Sequence, residues 1–140
     1  MPSLPGPMRV WRGLGHPLVP PILLALWLGV IFGVSSWPDP QPPLVGNRGW
    51  LAPATHLGLY GGLGVLLVWN LVRRLPRPGP VRGAFLPACA LGLLVGMLDE
   101  AYQNLVPGRD PSWGDVAVDA LGAAIGAGVT TWAIARRLIP

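Results

Sequence analysis

Lysine is absent from this chain, and charge of either sign is scarce. Only 11% of its 140 residues are charged, against 51% hydrophobic, whereas a water-soluble domain carries about 25% charged residues. That is too little charge to coat a water-facing surface. Cys89 is the one cysteine, which excludes an intrachain disulfide and a cysteine-based zinc site. A lone thiol in an apolar segment reads as a small packing residue. No glycine-rich phosphate loop, zinc-finger spacing or nucleophile elbow is present. Nor does the sequence contain an internal repeat or a soluble domain. Glycine and proline are plentiful instead, at 20 and 18 residues. They punctuate apolar runs, which membrane helices tolerate.

The apolar runs predict an all-α integral membrane bundle of four transmembrane helices, preceded by a proline- and glycine-rich arm over residues 1–17. The first span covers residues 18–37. A basic start before an apolar run also fits a signal peptide, but no small-x-small cleavage site follows, and Ser35-Ser36-Trp37-Pro38 substitutes for one poorly. The proline-rich segment 38–49 cannot be helical. Spans two, three and four are expected at about 53–72, 81–104 and 113–135, each near the ~20 residues that cross a bilayer. Pro87 is expected to kink the third near its start, and Pro107-Gly108 to stop it. Ser112 reads as the N-cap of the fourth, with Asp115 at the capping-box position. The four-helix domain is thus expected over residues 18–137.

With four spans, Arg9, Arg12, Arg73, Arg74, Arg77, Arg82, Arg136 and Arg137 fall on one side, and only Arg48 and Arg109 on the other. The positive-inside rule places both termini in the cytoplasm. The chain is therefore expected in a bacterial cytoplasmic membrane as a multi-pass protein. Topology accounts for the net charge of +4, so nucleic acid is not an expected partner. All six acidic residues belong to the outer side.

Five of those six lie in residues 98–126: Asp99, Glu100, Asp110, Asp115 and Asp119. Charge in a hydrophobic protein is expensive and usually has a task. From Arg82 to Asp99 is roughly 25 Å at the rise of a helix, so Asp99 and Glu100 approach the outer edge of the bilayer core. His56 and Tyr60, spaced i, i+4 on one helix face, enter from the same side. They read either as a base or ligand with a hydrogen-bonding partner or as an interfacial histidine with a belt tyrosine. Gln103 can reach both Asp99 and Glu100. Those two carboxylates repel wherever water is scarce, and Arg109, a divalent cation or a shared proton could relieve them. Otherwise they mark a helix end emerging into water. Arg109 suits phosphate clamping or a salt bridge to Asp99, Glu100 or Asp110. Asp115 reads as a helix-terminal acid or a site residue. Asp119 lies deeper, above a small-residue face formed by Gly122 and Gly126, which reads as close helix packing. The run Gly58, Gly61, Gly62 and Gly64 reads as packing too.

The pattern D-E-x-x-Q-x-x-x-P-x-R-x-x-S-x-x-D, formed by Asp99, Glu100, Gln103, Pro107, Arg109, Ser112 and Asp115, followed by Gly122 and Gly126 and preceded by His56 and Tyr60, resembles the VanZ-like family of small four-span bacterial membrane proteins. The resemblance covers about residues 18–137. Two positions depart from the family pattern. Pro53 stands where a basic residue is common, three before His56, and Asp119 stands where Asn is common, four after Asp115. Both changes lower the local positive charge and favour a metal over a second cationic side chain. The founding member is associated with low-level resistance to the glycopeptide teicoplanin, and VanZ-like proteins are similar to enzymes acting on lipid head groups or lipid-linked peptidoglycan precursors, including toxins that cleave lipid II.

The resemblance implies an envelope function, with a membrane lipid or lipid-linked precursor as partner. The expected activity is hydrolysis or transfer of a phosphate-bearing head group at the outer leaflet. His56, Tyr60, Asp99, Glu100, Gln103, Asp115 and Asp119 would supply the catalytic groups. Arg109 and Ser112 would bind substrate. Asp99, Glu100 and Asp119 would hold a divalent cation if one is used. The alternative is a protein that binds a lipid, a glycopeptide or a membrane partner without chemistry and alters envelope properties or antibiotic susceptibility. A proton pathway would need polar residues across the membrane, and below the outer third only Asn70, Thr130 and Thr131 offer themselves.

Overall fold

Prolines set where the helices begin and end. In a computed structural model describing residues 16–38, 51–74 and 81–136, with the backbone alone at 51, 81 and 82, the chain is an all-α bundle. Its helices are α1 (Val19–Ser35), α2 (Leu51–Val72), α3 (Phe85–Gln103) and α4 (Trp113–Ala135). Pro20 and Pro21 occupy the first turn of α1, where a missing N–H costs nothing. Pro38 disfavours helical geometry at Trp37, and α1 stops at Ser35, short of the expected end. Pro87 has no N–H to offer the carbonyl of Gly83. A 3-10 turn, Val81–Ala84, precedes Phe85 instead of the expected continuous helix with a kink.

Helices α2, α3 and α4 are long and apolar enough to cross a membrane. α1 has 17 residues, about 25 Å at the helical rise. It nonetheless runs the height of the bundle. Near its start, the carbonyl of Pro20 accepts from Asn70 Nδ2 (3.1 Å) at the far end of α2. At its end, the Ser35 hydroxyl donates to Asp99 Oδ2 (2.8 Å) in the last turns of α3. Successive helices therefore alternate in direction. Leu26, Leu86, Leu94, Leu121, Val129 and Trp132 are exposed around the outside, as a lipid-facing surface requires. Most of the expected arm, the proline-rich segment with Arg48, and the positions of Arg77 and Arg137 lie outside the described residues.

Small residues build the interior. Ala84, Ala88, Ala123 and Ala127 are buried with Tyr60, Leu63 and Val68. Without a hydrophobic driving force between helices in lipid, such residues let backbones approach and gain dispersion contacts. α2 and α4 touch backbone to backbone: a Cβ at Gly126 would collide with the carbonyl of Gly61, and one at Gly64 with the carbonyl of Ala123. Gly62 makes room for Trp27 of α1, whose indole N–H donates to the Leu59 carbonyl (2.8 Å). Gly58 is not part of this packing. A Cβ there would meet nothing within 4 Å.

This contrast is testable by thermal unfolding in detergent. Gly126→Leu must separate α4 from α2, and an overpacked core loses about 1–3 kcal/mol or more. Gly58→Ala gains helix propensity with no clash, so its midpoint should stay the same or rise. Equal loss in both variants would contradict a backbone seam between α2 and α4.

Candidate functional site

Four helices deliver polar groups to one end of the bundle. Ser35 closes α1. His56 and Tyr60 sit in the early turns of α2. Asp99, Glu100 and Gln103 occupy the last turns of α3, and Asp115 and Asp119 the first two turns of α4. The helical period explains each pairing. Residues four apart share a face, so Gln103 faces Asp99, Tyr60 continues from His56, and the face of Asp119 continues into Gly122 and Gly126.

The centre is a pair bridging α2 and α4. His56 Nδ1 lies 2.9 Å from Asp119 Oδ1, with the imidazole 13% exposed and the carboxylate 0%. Tyr60 is almost wholly buried, its ring nearly parallel to that of His56 at 6.5 Å between centroids. Room for Asp119 comes from Gly96 on α3, where a Cβ would lie 3.2 Å from Asp119 Oδ2. Asp99, at 1% exposure, accepts at Oδ2 from the Ser35 hydroxyl (2.8 Å) and from Gln103 Nε2 (3.2 Å). Gln103 Nε2 also donates to Glu100 Oε1 (3.3 Å). The pair Asp99 and Glu100 is therefore buried and engaged, not a helix end emerging into water.

Glu100 has a second partner that spacing alone does not reveal. Its Oε2 accepts the backbone N–H of Ser112 (2.8 Å). Ser112 caps α4 as expected, its hydroxyl accepting from the Gly114 N–H (3.0 Å). In a capping box the acid three residues on would take the cap's own N–H. Here Glu100 of α3 takes that N–H, so the box is completed across two helices. Asp115 stays half-buried in the first turn of α4, outside the closest group of donors.

Arg109 stands in the turn joining α3 to α4. Pro107 and Gly108 form its corner, with Gly108 at φ 81° and the Arg109 N–H donating to the Val106 carbonyl (3.2 Å). Proline followed by a glycine of positive φ suits a type II turn. The helix itself stops earlier, at Gln103. No salt bridge ties Arg109 to Asp99, Glu100 or Asp110 among the described residues. Its buried Nε has no hydrogen-bond partner. A guanidinium in that state can take up an anion.

A cleft of about 390 Å³ opens between the end of α3 and the start of α4, lined by Met97, Glu100, Ala101, Asn104, Pro111, Ser112, Trp113 and Val116. Its size falls in the usual range of small-molecule sites. Glu100 belongs both to the cleft and to the buried carboxylate group. In that group His56, Asp99, Glu100 and Asp119 each bring one metal-ligand-type atom within 4.8 Å of the others. These are the residues able to hold a cation. Below this level, among the described residues, Asn70, Thr130 and Thr131 bond to nearby carbonyls. Thr130 and Thr131 hydroxyls donate to the carbonyls of Gly126 and Ala127, and Asn70 donates to Pro20 and Leu66. They make no continuous path.

Sequence reasoning missed Ser35 and Gly96. In the sequence Ser35 figures only in Ser35-Ser36-Trp37-Pro38, a poor substitute for a cleavage site. Its only signal was polarity at the end of an apolar run. Ser36 does lie at the exposed edge, 2.8 Å from the Tyr102 hydroxyl. Replacing Ser35 by Ala leaves a buried carboxylate short of a donor, a loss of about 1.5–3 kcal/mol for a hydrogen bond to a charged group. Ser36→Ala should cost far less. Equilibrium unfolding in mixed micelles reads both, and equal effects would contradict the Ser35–Asp99 bond.

No curated protein and no solved structure matches the chain. A model of the VanZ/LLP1 family matches residues 19–135, from the first residue of α1 to the last of α4, and this stretch holds every residue of the polar cluster. The chain is a membrane protein that belongs to the VanZ/LLP1 family.

Proposed function

We propose that the protein acts on a phosphate-bearing lipid head group, or on a lipid-linked peptidoglycan precursor, by hydrolysis or head-group transfer at the outer leaflet of a bacterial cytoplasmic membrane. The observation that carries the reading is the His56–Asp119 bond of 2.9 Å set among buried carboxylates. A carboxylate on Nδ1 holds an imidazole in one orientation and leaves Nε2 to take a proton from an attacking water or hydroxyl.

The neighbours suit the remaining tasks. Arg109, with an unpartnered Nε in the connecting turn, binds phosphate. Glu100, shared between the cluster and the cleft, links the buried carboxylates to the space where a head group would sit. Gln103 keeps Asp99 and Glu100 in position through its amide. Tyr60, whose buried hydroxyl lacks a partner, is the donor on the inner side. Ser112 keeps its hydroxyl proton for substrate while its oxygen caps α4. Four spans with both termini in the cytoplasm fit the arginine distribution. Among the described residues Arg73, Arg74 and Arg136 lie at the end of the bundle away from the cluster.

A second reading has its own support. The cleft wall includes Met97, Ala101, Trp113 and Val116, which suit an acyl or prenyl chain. The protein would then retain a lipid or another envelope molecule without changing it.

Purified protein in vesicles, given labelled prenyl pyrophosphates and a phospholipid panel, separates the two. Release or transfer of the head group is expected, with kcat reduced about 10²–10⁴-fold by His56→Ala, the usual scale of a general base. Arg109→Ala should chiefly raise KM, and Asp110→Asn should change neither. Lipid retained without turnover, or turnover indifferent to His56→Ala, would remove the catalytic reading.

A further inference from the structure

The three buried carboxylates have an uneven hydrogen-bond pattern. Asp99 is oriented through Oδ2 by Ser35 and Gln103 while its Oδ1 is buried without a partner. Asp119 is oriented through Oδ1 by His56 while its Oδ2 is buried without a partner. Glu100 is held by Gln103 and by the Ser112 N–H. One oxygen fixed by a hydrogen bond and the other left open is how donors behind a metal site orient its ligating carboxylates. Tyr60 places a further buried hydroxyl beside Asp99, on the helix face of His56.

Charge and distance agree with this pattern. Ionised, Asp99, Glu100 and Asp119 carry three negative charges against at most one from His56, and no salt bridge brings Arg109 to Asp99 or Glu100 among the described residues. Uncompensated buried charge is costly, and a divalent cation supplies the missing compensation. Opposite ligands of a cation bound at 2.0–2.6 Å are separated by about 4.0–5.2 Å, and the donor atoms lie within 4.8 Å of one another. Oxygen donors favour magnesium, manganese or calcium over softer ions.

We propose that Asp99, Glu100 and Asp119 bind one hard divalent cation beside His56, at the end of the bundle that opens to the cleft. The site rests on coordination geometry. Only a role for the cation in holding phosphate rests on the functional reading above.

The test uses the full-length protein in nanodiscs with Mn²⁺ as the probe, followed by electron paramagnetic resonance and by thermal unfolding. One Mn²⁺ per chain is expected, displaced by Mg²⁺ or Ca²⁺, with the unfolding midpoint rising on binding. Asp99→Asn and Asp119→Asn should weaken binding at least tenfold and abolish the Mn²⁺-dependent rise. Without metal Asp99→Asn should unfold no earlier than the parent, because it removes a like charge and its amide oxygen can still accept from Ser35 and Gln103. That comparison separates a lost ligand from a lost fold. Asp110→Asn, at an exposed position, should bind as the parent does. Absence of saturable binding, binding unaltered by Asp99→Asn and Asp119→Asn, or saturation by Zn²⁺ alone would overturn the proposal. Head-group turnover that persists in a chelator would overturn a role for the cation in holding phosphate and leave the catalytic reading standing. Mn²⁺ binding without turnover of any lipid would support the site and count against catalysis.

Discussion

The hydrogen bond between His56 and Asp119 is the interaction on which the site depends, because it ties α2 to α4 at the end where polar groups collect. An isolated carboxylate in an apolar bundle would be driven to protonate or to find a partner. Asp119 is fully buried, so its partner must come from another helix at the same height. That requirement fixes the register of α2 against α4. His56 can meet Asp119 only if Gly61 lies beside Gly126 further down, and the backbones do meet there. The glycine seam and the polar pair are two ends of one contact. The seam brings the helices close enough for an imidazole to span the gap, and the pair keeps them from sliding.

The other helices extend the arrangement from this contact. α3 lies against α4 with Gly96 opposite Asp119, which leaves space for the carboxylate. That placement brings Asp99 and Glu100 to the same level. α1 then contributes Ser35 to Asp99, so the shortest of the four helices is fastened at the polar end as well as through Pro20 at the other. Glu100 couples the buried group to the α3–α4 connection through the Ser112 N–H. A change in that turn, where Arg109 sits, would therefore move a carboxylate of the cluster.

Much of this was legible in the sequence, for reasons specific to particular residues. The acids of 98–126 stood out because charge is rare in the chain. His56 with Tyr60, and Asp119 with Gly122 and Gly126, could be assigned to single faces because spacings of three and four share a face. The cap at Ser112 follows from its side-chain chemistry. What could not be read were contacts whose partner carries no signal of its own. Glu100 bonds a backbone N–H, and Gly96 acts by lacking a side chain. Spacing also says nothing about depth at a helix end. Asp115 and Asp119 share a face, yet only Asp119 lies deep enough to join the closest group of donors. The glycines show the same limit: Gly61 and Gly64 pack against α4, whereas Gly58 faces open space.

The most direct measurement of the His56–Asp119 contact is nitrogen and proton NMR of the imidazoles in ¹⁵N-histidine-labelled protein. The chain has only two histidines, His16 and His56, so the exposed one is an internal reference. The His56 ring N–H on Nδ1 is expected to exchange slowly with water, to resonate downfield as a hydrogen-bonded proton, and to disappear in Asp119→Asn. A His56 ring that exchanges as fast as that of His16, with a spectrum indifferent to Asp119→Asn, would contradict the pairing and the site built around it.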